Sequence, residues 1–460
     1  MIKQLTKYPI LLSIIVVLSS CDSFVEVDLP NSQLTNTAVF EDYSTANAAL
    51  MDIYAKMRDT GILTGTNMGI SNQMGNYTDE LMASGDPSNL SWPFYNNSVL
   101  PSSSNVAEYW NASYNQIYAA NALLEGTEQS KTLSSEDKKQ LQGEALFIRA
   151  LLHFYLLNLF GDIPYIKETD YKKNSTATRI PTQEVYQHII ADLERAQAIL
   201  PIHFDNPQKV RADKYTIKAL LARVYLYTKS FAEAANEASS LLNQTDLYSL
   251  EDNLSGVFLI SSRETIWQFQ SSLAGQNTKE GSLFIFEAGP PSITALNPLL
   301  INSFATDDLR KANWTKSVTD GTSVWYYSYK YKEQNATAVS KEYSVVFRLA
   351  EQYLIRAEAR AQQGDLIGAK EDLNKIRTRA GLPNTIAITQ QQLLIAVLQE
   401  RYWEFFTEQG HRFFDLKRSS ELDKTLSGIK PGWKTTDSLL PIPQNELSVN
   451  PNLRPQNPGY

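Results

Sequence analysis

A chain of 460 residues with Lys+Arg 42 against Asp+Glu 50 carries a formal charge of -8, which argues against a nucleic-acid binder, whose phosphate contacts need a basic face. Hydrophobic residues make up 43% and charged residues 20%, enough apolar material for a large packed core and unlike a disordered chain. At roughly 150 residues per domain the length allows two or three domains, although helical-repeat folds exceed that as one body.

The first element is a targeting segment. Lys3 and Lys7 precede an apolar run from Ile10 to Leu18, broken once by Ser13, and Leu18-Ser19-Ser20-Cys21 follows. This is the layout of a signal peptide, and the run is too short for a membrane-crossing helix, which needs about 20 residues. The aliphatic residue three before a cysteine, with small residues between, is a lipobox. Residues 1–20 are therefore expected to be removed and Cys21 to carry the lipid, with 21–32 as a short acidic tether. A diacylglyceryl pair plus an amide-linked chain gives stable attachment. Cys21 is the one cysteine of the sequence, which excludes an intrachain disulfide, a cysteine zinc site and a Cys-x-x-Cys redox motif.

Beyond the tether the periodicity is helical. Ser44 or Thr45 is placed to cap a helix with Ala46, Leu50, Ile53 and Met57 on its apolar face. From Gly61 to about Asn105 the sequence has no sustained period and reads as a long loop region, of the kind that is usually functional. Helical spacing returns over Glu108–Glu125 and over Ser134–Leu159, where Ser134 caps and Gly161 and Pro164 stop the helix. A further helix follows Thr182 and ends at Pro201. Two stretches then match each other. Asp213–Leu242 and Phe347–Ala380 each read as helix, turn, helix, and one offset lays Ala222 on Ala357, Phe231 on Leu366, Ala234 on Ala369, Ala238 on Leu373 and Leu241 on Ile376. Small residues where helices cross, in a unit of this length, suggest a tetratricopeptide-type hairpin, with two ordinary hairpins of a bundle as the alternative. Between them, Tyr248–Tyr343 reads as an irregular region with short strands at Thr265–Phe269 and Leu283–Phe286 and an aromatic run from Trp314 to Tyr331. The tail from Pro441 is expected to pack without helix. The fold class is thus mostly α, a tetratricopeptide-like hairpin scaffold with a loop-rich region and a few short strands. Residues 33–245 and 246–460 are its two parts, packed as one body.

Catalytic signatures are missing: G-x-S-x-G, P-loop, H-E-x-x-H and EF-hand patterns do not occur. His153, His188, His203 and His411 are scattered, and His411 with Asp415 makes an incomplete metal pair. No metal and no cofactor is expected.

Two ends of the chain carry recognisable text. Gly143, Glu144, Ala145, Phe147, Arg149 and Ala150, followed by Phe160-Gly161-Asp162-Ile163-Pro164, resemble a signature of the SusD/RagB lipoproteins. Arg348, Glu351, Arg356-Ala357-Glu358-Ala359, Asn374, Arg377, Glu400-Arg401, Glu404, Glu408, Gly410, Arg412, Asp415-Leu416, Arg418 and the closing Gln456-Asn457-Pro458-Gly459-Tyr460 resemble its C-terminal blocks. The resemblance implies a non-enzymatic lipoprotein of the outer membrane, exposed at the cell surface through the lipid on Cys21. It implies capture of oligosaccharide or polysaccharide and delivery to a SusC-like TonB-dependent transporter. Two other readings stay open: a binder of peptides or another non-sugar nutrient on the same scaffold, and a mainly structural transporter lid. The charges from Glu400 to Asp415 fall at i,i+4 spacing that can pair along helices and read as a buried or half-buried ion-pair network, with a ligand role as the alternative. Tyr329-Lys330-Tyr331 also resembles a block of the family, which implies a joint between the irregular region and the helices rather than a part of the site. Sugar faces stack on aromatic rings and hydroxyls need amide or carboxylate partners, so the candidate ligand-binding residues are Trp92, Tyr95 and Asn96 in one loop, Tyr77 and Asp79 just upstream, and Trp314, Trp325 and Tyr326 as a second patch. Asp79 has a structural alternative, capping a turn.

Overall fold

The structure, a computed structural model, describes residues 39–201 and 206–460. The signal peptide, the tether, Cys21 and His203 lie outside the described residues.

The first helix, α1 (Tyr43–Asp59), buries Ala46, Leu50, Ile53 and Met57. Its cap is Asp42 rather than Ser44 or Thr45: the carboxylate accepts from Ser44 N at 2.9 Å and Thr45 N at 3.4 Å, the acceptor a positive helix N-terminus favours. The stretch expected to be loop contains α2 (Ile70–Tyr77), strand β1 (Leu81–Ala83) and a short α3 (Trp92–Tyr95). Every residue of α2 is buried. Ile70, Met74 and Tyr77 do fall at helical spacing, but the helix is only two turns long and carries Asn72, Gly75 and Asn76, poor helix formers. The buried asparagine amides are held by hydrogen bonds such as Asn72 to Ser91 Oγ at 2.9 Å.

The scaffold is a stack of helices. α4 (Ser104–Gln129) and α5 (Ser135–Phe160) fold back on each other, and Ser134 Oγ accepts from Asp137 N at 3.1 Å as the cap of α5. Gly161 ends α5 at φ +75°, a left-handed conformation that glycine tolerates best. After α6 (Tyr171–Asn174) comes α7 (Thr182–Ile199), packed on α5 and on α8 (Lys214–Tyr227), which pairs with α9 (Phe231–Leu242). The second copy of that hairpin, α13 (Leu349–Gln362) and α14 (Leu366–Arg379), docks on α9. Ala222, Ala234 and Ala238 of the first copy form one cluster with Ile355 and Ala359 of the second. α15 (Gln390–Phe405) closes the stack, and α16 (His411–Arg418) and α17 (Leu422–Leu426) lead to the tail. The tail is not free of helix: Gln444–Val449 forms α18, begun at Pro443, whose fixed φ suits a helix start.

The irregular region holds α10 (Lys279–Phe284), α11 (Pro298–Ser303), α12 (Leu309–Trp314) and strands β2 (Thr265–Phe269), β3 (Thr294–Leu296), β4 (Thr315–Thr319), β5 (Val324–Ser328) and β6 (Ser344–Arg348). A strand was expected at Leu283–Phe286, but Leu283 and Phe284 end α10, nucleated by Thr278 Oγ1 accepting from Gly281 N at 3.0 Å. One sheet has the order β1-β3-β5-β4 and the other is the antiparallel pair β2-β6. In the first, Leu81 faces Leu296 and Leu296 faces Tyr326, so a strand from each part of the chain shares one ladder.

The acidic run at Glu400–Glu408 is buried, but its partners are remote rather than one helical turn away. Glu404 meets Arg310 at 3.0 Å, Arg348 at 2.6 Å and also Arg379. Glu400 meets Arg310 at 2.7 Å and Arg377 at 3.0 Å, and Glu408 meets Arg348 at 2.7 Å and Lys330. Burial acts to raise the Glu404 pKa, yet the guanidiniums of Arg379, Arg348 and Arg310 hold it well below the usual carboxylate range. The network joins the irregular region, β6, α14 and α15.

Candidate ligand-binding face

β1 leads into the loop that carries α3. Ser84 N donates to Ile293 O at 2.9 Å, and the Asn89 amide bridges Ser84 O and Ile293 O at 2.7 Å each. Asn89 Oδ1 accepts from Ser91 N at 3.0 Å, delivering the chain into α3, whose Pro93 suits a first helical turn. The short helix sorts its rings by direction. Phe94 is 1% exposed and meets the Tyr77 ring at 6.0 Å, whereas Trp92 and Tyr95 are half-buried and Asn96 is exposed.

Trp92 and Tyr95 lie edge to face, centroids 5.8 Å apart at 76°, an arrangement that aromatic quadrupoles favour. Trp92 Nε1 donates to Asp86 O at 3.1 Å, which fixes the indole while leaving its body at the surface. Lys430 anchors Tyr95 from below: Nζ donates to Tyr95 O at 2.8 Å and Asn76 O at 2.6 Å and lies 4.0 Å from the ring centroid. Burial pushes the Lys430 ammonium down to about 7. Gly432 lies against the same turn, where a Cβ would come 1.9 Å from Asn96 O.

The second patch is joined to the first. Gly85 sits on Ser292 O, and the Gly289 backbone lies flat on the Trp325 indole, where a Cβ would come within 2.1 Å of the ring. A continuous set of contacts therefore runs from Trp92 through the Asp86–Asn89 loop and the Gly289–Ile293 loop to Trp325. Trp325 and Tyr326 are both half-buried, and the covered part of Tyr326 packs on the core cluster of Leu81, Leu296 and Trp314. Phe286, expected only as the end of a strand, is half-buried with its ring 5.0 Å from Tyr327.

Three sequence candidates are corrected. Trp314 is 0% exposed, with Nε1 donating to Leu254 O at 2.9 Å and Lys330 Nζ 5.0 Å from its ring. Tyr77 is also 0% exposed, ringed by Phe94, Phe413 and Trp433. Asp79 takes both arms of Arg412, at 2.8 and 2.6 Å, and its backbone carbonyl accepts from Tyr402 OH at 3.1 Å. It clamps α16 to the turn after α2. Beside it, burial and the Asp79 charge push Glu80 up to about 8. Trp314 and Tyr77 are among the largest fully buried side chains of the protein, and residue type alone does not tell a core aromatic from a surface one.

Chemically the face offers half-exposed rings at two stations, an exposed amide and loop carbonyls between them. No group of three or more His, Cys, Asp or Glu side chains able to hold a metal occurs among the described residues.

Residues 24–226 match the family model described as "Starch-binding associating with outer membrane", and residues 301–438 match that of the SusD family. The chain is similar to the starch-binding protein SusD of Bacteroides thetaiotaomicron, 26% identical over 72% of this chain and 75% of that protein. It superposes on a SusD superfamily protein of Bacteroides vulgatus with TM-score 0.80 at 21% identity, covering 92% of this chain and 100% of the other. It also superposes on a laminarin binding SusD-like protein with TM-score 0.76 at 24% identity, covering 91% and 99%.

Proposed function

The chain belongs to the SusD/RagB family, and from that premise we propose that it is a surface glycan-binding lipoprotein of the outer membrane. It captures oligosaccharide on the Trp92–Trp325 face and passes it to a SusC-like TonB-dependent transporter. The observation that carries the reading is the face itself: Trp92, Tyr95 and Trp325 stay half-exposed, each braced by its own loop, in a chain that buries most of its other large rings. Pyranose C–H faces stack on such rings, and the Asn96 amide with the loop carbonyls supplies partners for hydroxyls. Neutral aromatic and amide groups bind rather than cleave. The starch- and laminarin-binding relatives support a glycan over a peptide, and the lipobox at Cys21 supports lipid anchoring. Affinity is expected between about 1 μM and 1 mM, because each stacked sugar exchanges water contacts for a modest surplus.

The test is affinity electrophoresis of the full chain against polysaccharide panels, beside calorimetry with mixed peptides. Retardation by one glycan class, abolished in W92A, supports the reading. Peptide binding without a sugar response moves the ligand class to peptides, and silence toward both leaves the transporter lid.

A further inference from the structure

A second cavity, sharing no residue with the aromatic face, opens where three remote signatures of the sequence meet. The end of α5 with the Gly161-Asp162 turn, the start of α7, the end of α16 and the Asn457-Pro458 tail enclose about 450 Å³, within the ~300–1,000 Å³ of small-ligand pockets. Three cations line it, Arg418 and the pair Lys417 and Arg179. Lys417 Nζ donates to Asn158 O at 2.7 Å. Arg179 donates from Nε to Asp162 O at 2.7 Å, from Nη1 to Pro455 O at 2.7 Å and from Nη2 to Asn457 Oδ1 at 2.6 Å. Three N–H groups of five on Arg179 and one of three on Lys417 are thereby used.

Neither cation has a carboxylate within ion-pair distance among the described residues. Lys417 and Arg179 are half-buried, and the fully buried arginines differ from them: Arg149 pairs with Asp192, Arg223 with Glu351 and Arg401 with Asp415, while buried Lys430, also without a carboxylate, spends its N–H groups on Asn76 O and Tyr95 O. Arg418, at the same cavity, is saturated by Glu358 and Asp415. The cavity's own carboxylate, Asp162, is committed to the first turn of α7, accepting from Thr182 N at 2.8 Å and Thr182 Oγ1 at 2.9 Å. Tyr186 OH is likewise occupied, donating to Asn158 Oδ1 at 3.0 Å. Besides Asp162 Oδ2, what is left at the cavity is N–H donor capacity and, with Arg418 neutralised, a net positive charge.

We propose that this cavity binds a small oxyanion, a carboxylate or sulfate group, between Lys417 and Arg179. A half-buried ammonium without a counter-charge is unfavourable, and an anion with oxygen acceptors removes that cost while using the remaining N–H groups as charge-assisted hydrogen bonds. Consistent with the missing counter-charge, burial alone pushes Lys417 down to about 7, and burial also lowers Arg179, against the raising effect of Asp162. The competing role for Lys417 is purely structural, a cation at the C-terminal end of α5. The oxyanion reaches the cavity as a free ion or as the acidic substituent of a sugar, and the inference does not depend on what the aromatic face binds.

The test is calorimetry on the full chain at pH 6.5 and constant ionic strength in chloride, titrating sodium sulfate, sodium glucuronate and neutral methyl glucoside. Saturable binding of sulfate or glucuronate, silence toward methyl glucoside, at least tenfold weakening in K417M and in R179M, and no change in W92A are expected. Sulfate binding alone assigns a free ion; glucuronate binding more tightly than sulfate assigns a sugar acid. No saturable anion binding, or undiminished binding in K417M, overturns the proposal. Should K417M not fold, the wild-type Lys417 Cε resonance, assigned by its loss in K417R, serves in its place: its titration midpoint rises by at least one pH unit in saturating sulfate if the site is real, and an unmoved midpoint leaves Lys417 a capping cation.

Discussion

Trp92 and Trp314 show how far surroundings decide what one side chain does. Trp92 keeps a single hydrogen bond, to an exposed loop carbonyl, so W92A is expected to shift stability by less than about 1 kcal/mol while removing glycan retardation. Trp314 is fully enclosed and hydrogen-bonded to Leu254 O, so W314A is expected to destabilise by about 3–5 kcal/mol, read from urea unfolding followed by circular dichroism. His153 is the clearest titrating residue. Its Nε2 accepts from Ile166 N at 3.2 Å and its Nδ1 lies 2.8 Å from Arg149 O, which fixes the neutral ring with Nδ1 as donor. Burial pushes it down to about 3. Because the folded pKa lies below the unfolded value, the contribution is complete above about 6.5 and lost as pH falls toward 3, at up to about 1.4 kcal/mol per pH unit. Urea midpoints measured from pH 7 to 4 should therefore fall less steeply in H153Q than in the parent chain.

At the scale of elements, the repeated hairpin is the part most legible beforehand. Ala222 with Ala234 and Ala357 with Ala369 occupy matching crossings in their own clusters, and a helix crossing that uses alanine has no room for a γ-carbon. A222L and A357L are each expected to cost about 1–3 kcal/mol by overpacking, with the two losses alike, as measured by thermal unfolding. The α3 turn is a different kind of element, held from outside by Lys430 and Gly432. G432A would drive Asn96 O away from its present place, so weakened glycan retardation is expected with the fold retained. α2 escaped recognition for a physical reason: two turns give the spacing of Ile70, Met74 and Tyr77 no repeat, and Asn72, Gly75 and Asn76 are residues that ordinarily mark turns.

Across the whole molecule, the Glu404 carboxylate ties together Arg310 in α12, Arg348 at the end of β6 and Arg379 at the end of α14. Removing it leaves three buried guanidiniums without one of their shared counter-charges. E404A is expected to lose about 3–5 kcal/mol, with the sheet region and the second hairpin loosening together, visible as matched loss of amide-exchange protection in β6 and α14. Spacing along the sequence suggested that these charges pair within helices; the pairs instead span remote segments, because a buried carboxylate is satisfied by whichever guanidiniums the packing brings to it.

Family, helical class and the paired hairpins were determined by the sequence alone, since periodicity, small residues at crossings and signature blocks are local properties that survive without coordinates. The lipobox at Cys21 belongs to the same kind of local reading. Which aromatics reach the surface was decided only by the tertiary structure. Trp92 and Trp325 lie on one face because a shared ladder brings β1 beside β3 and two loops lean on each other, whereas Trp314, Tyr77 and Asp79 are taken into the core. Lys417 and Arg179, far apart in the chain, become neighbours for the same reason: burial and convergence are properties of the packed body, and a linear pattern of residue types does not contain them.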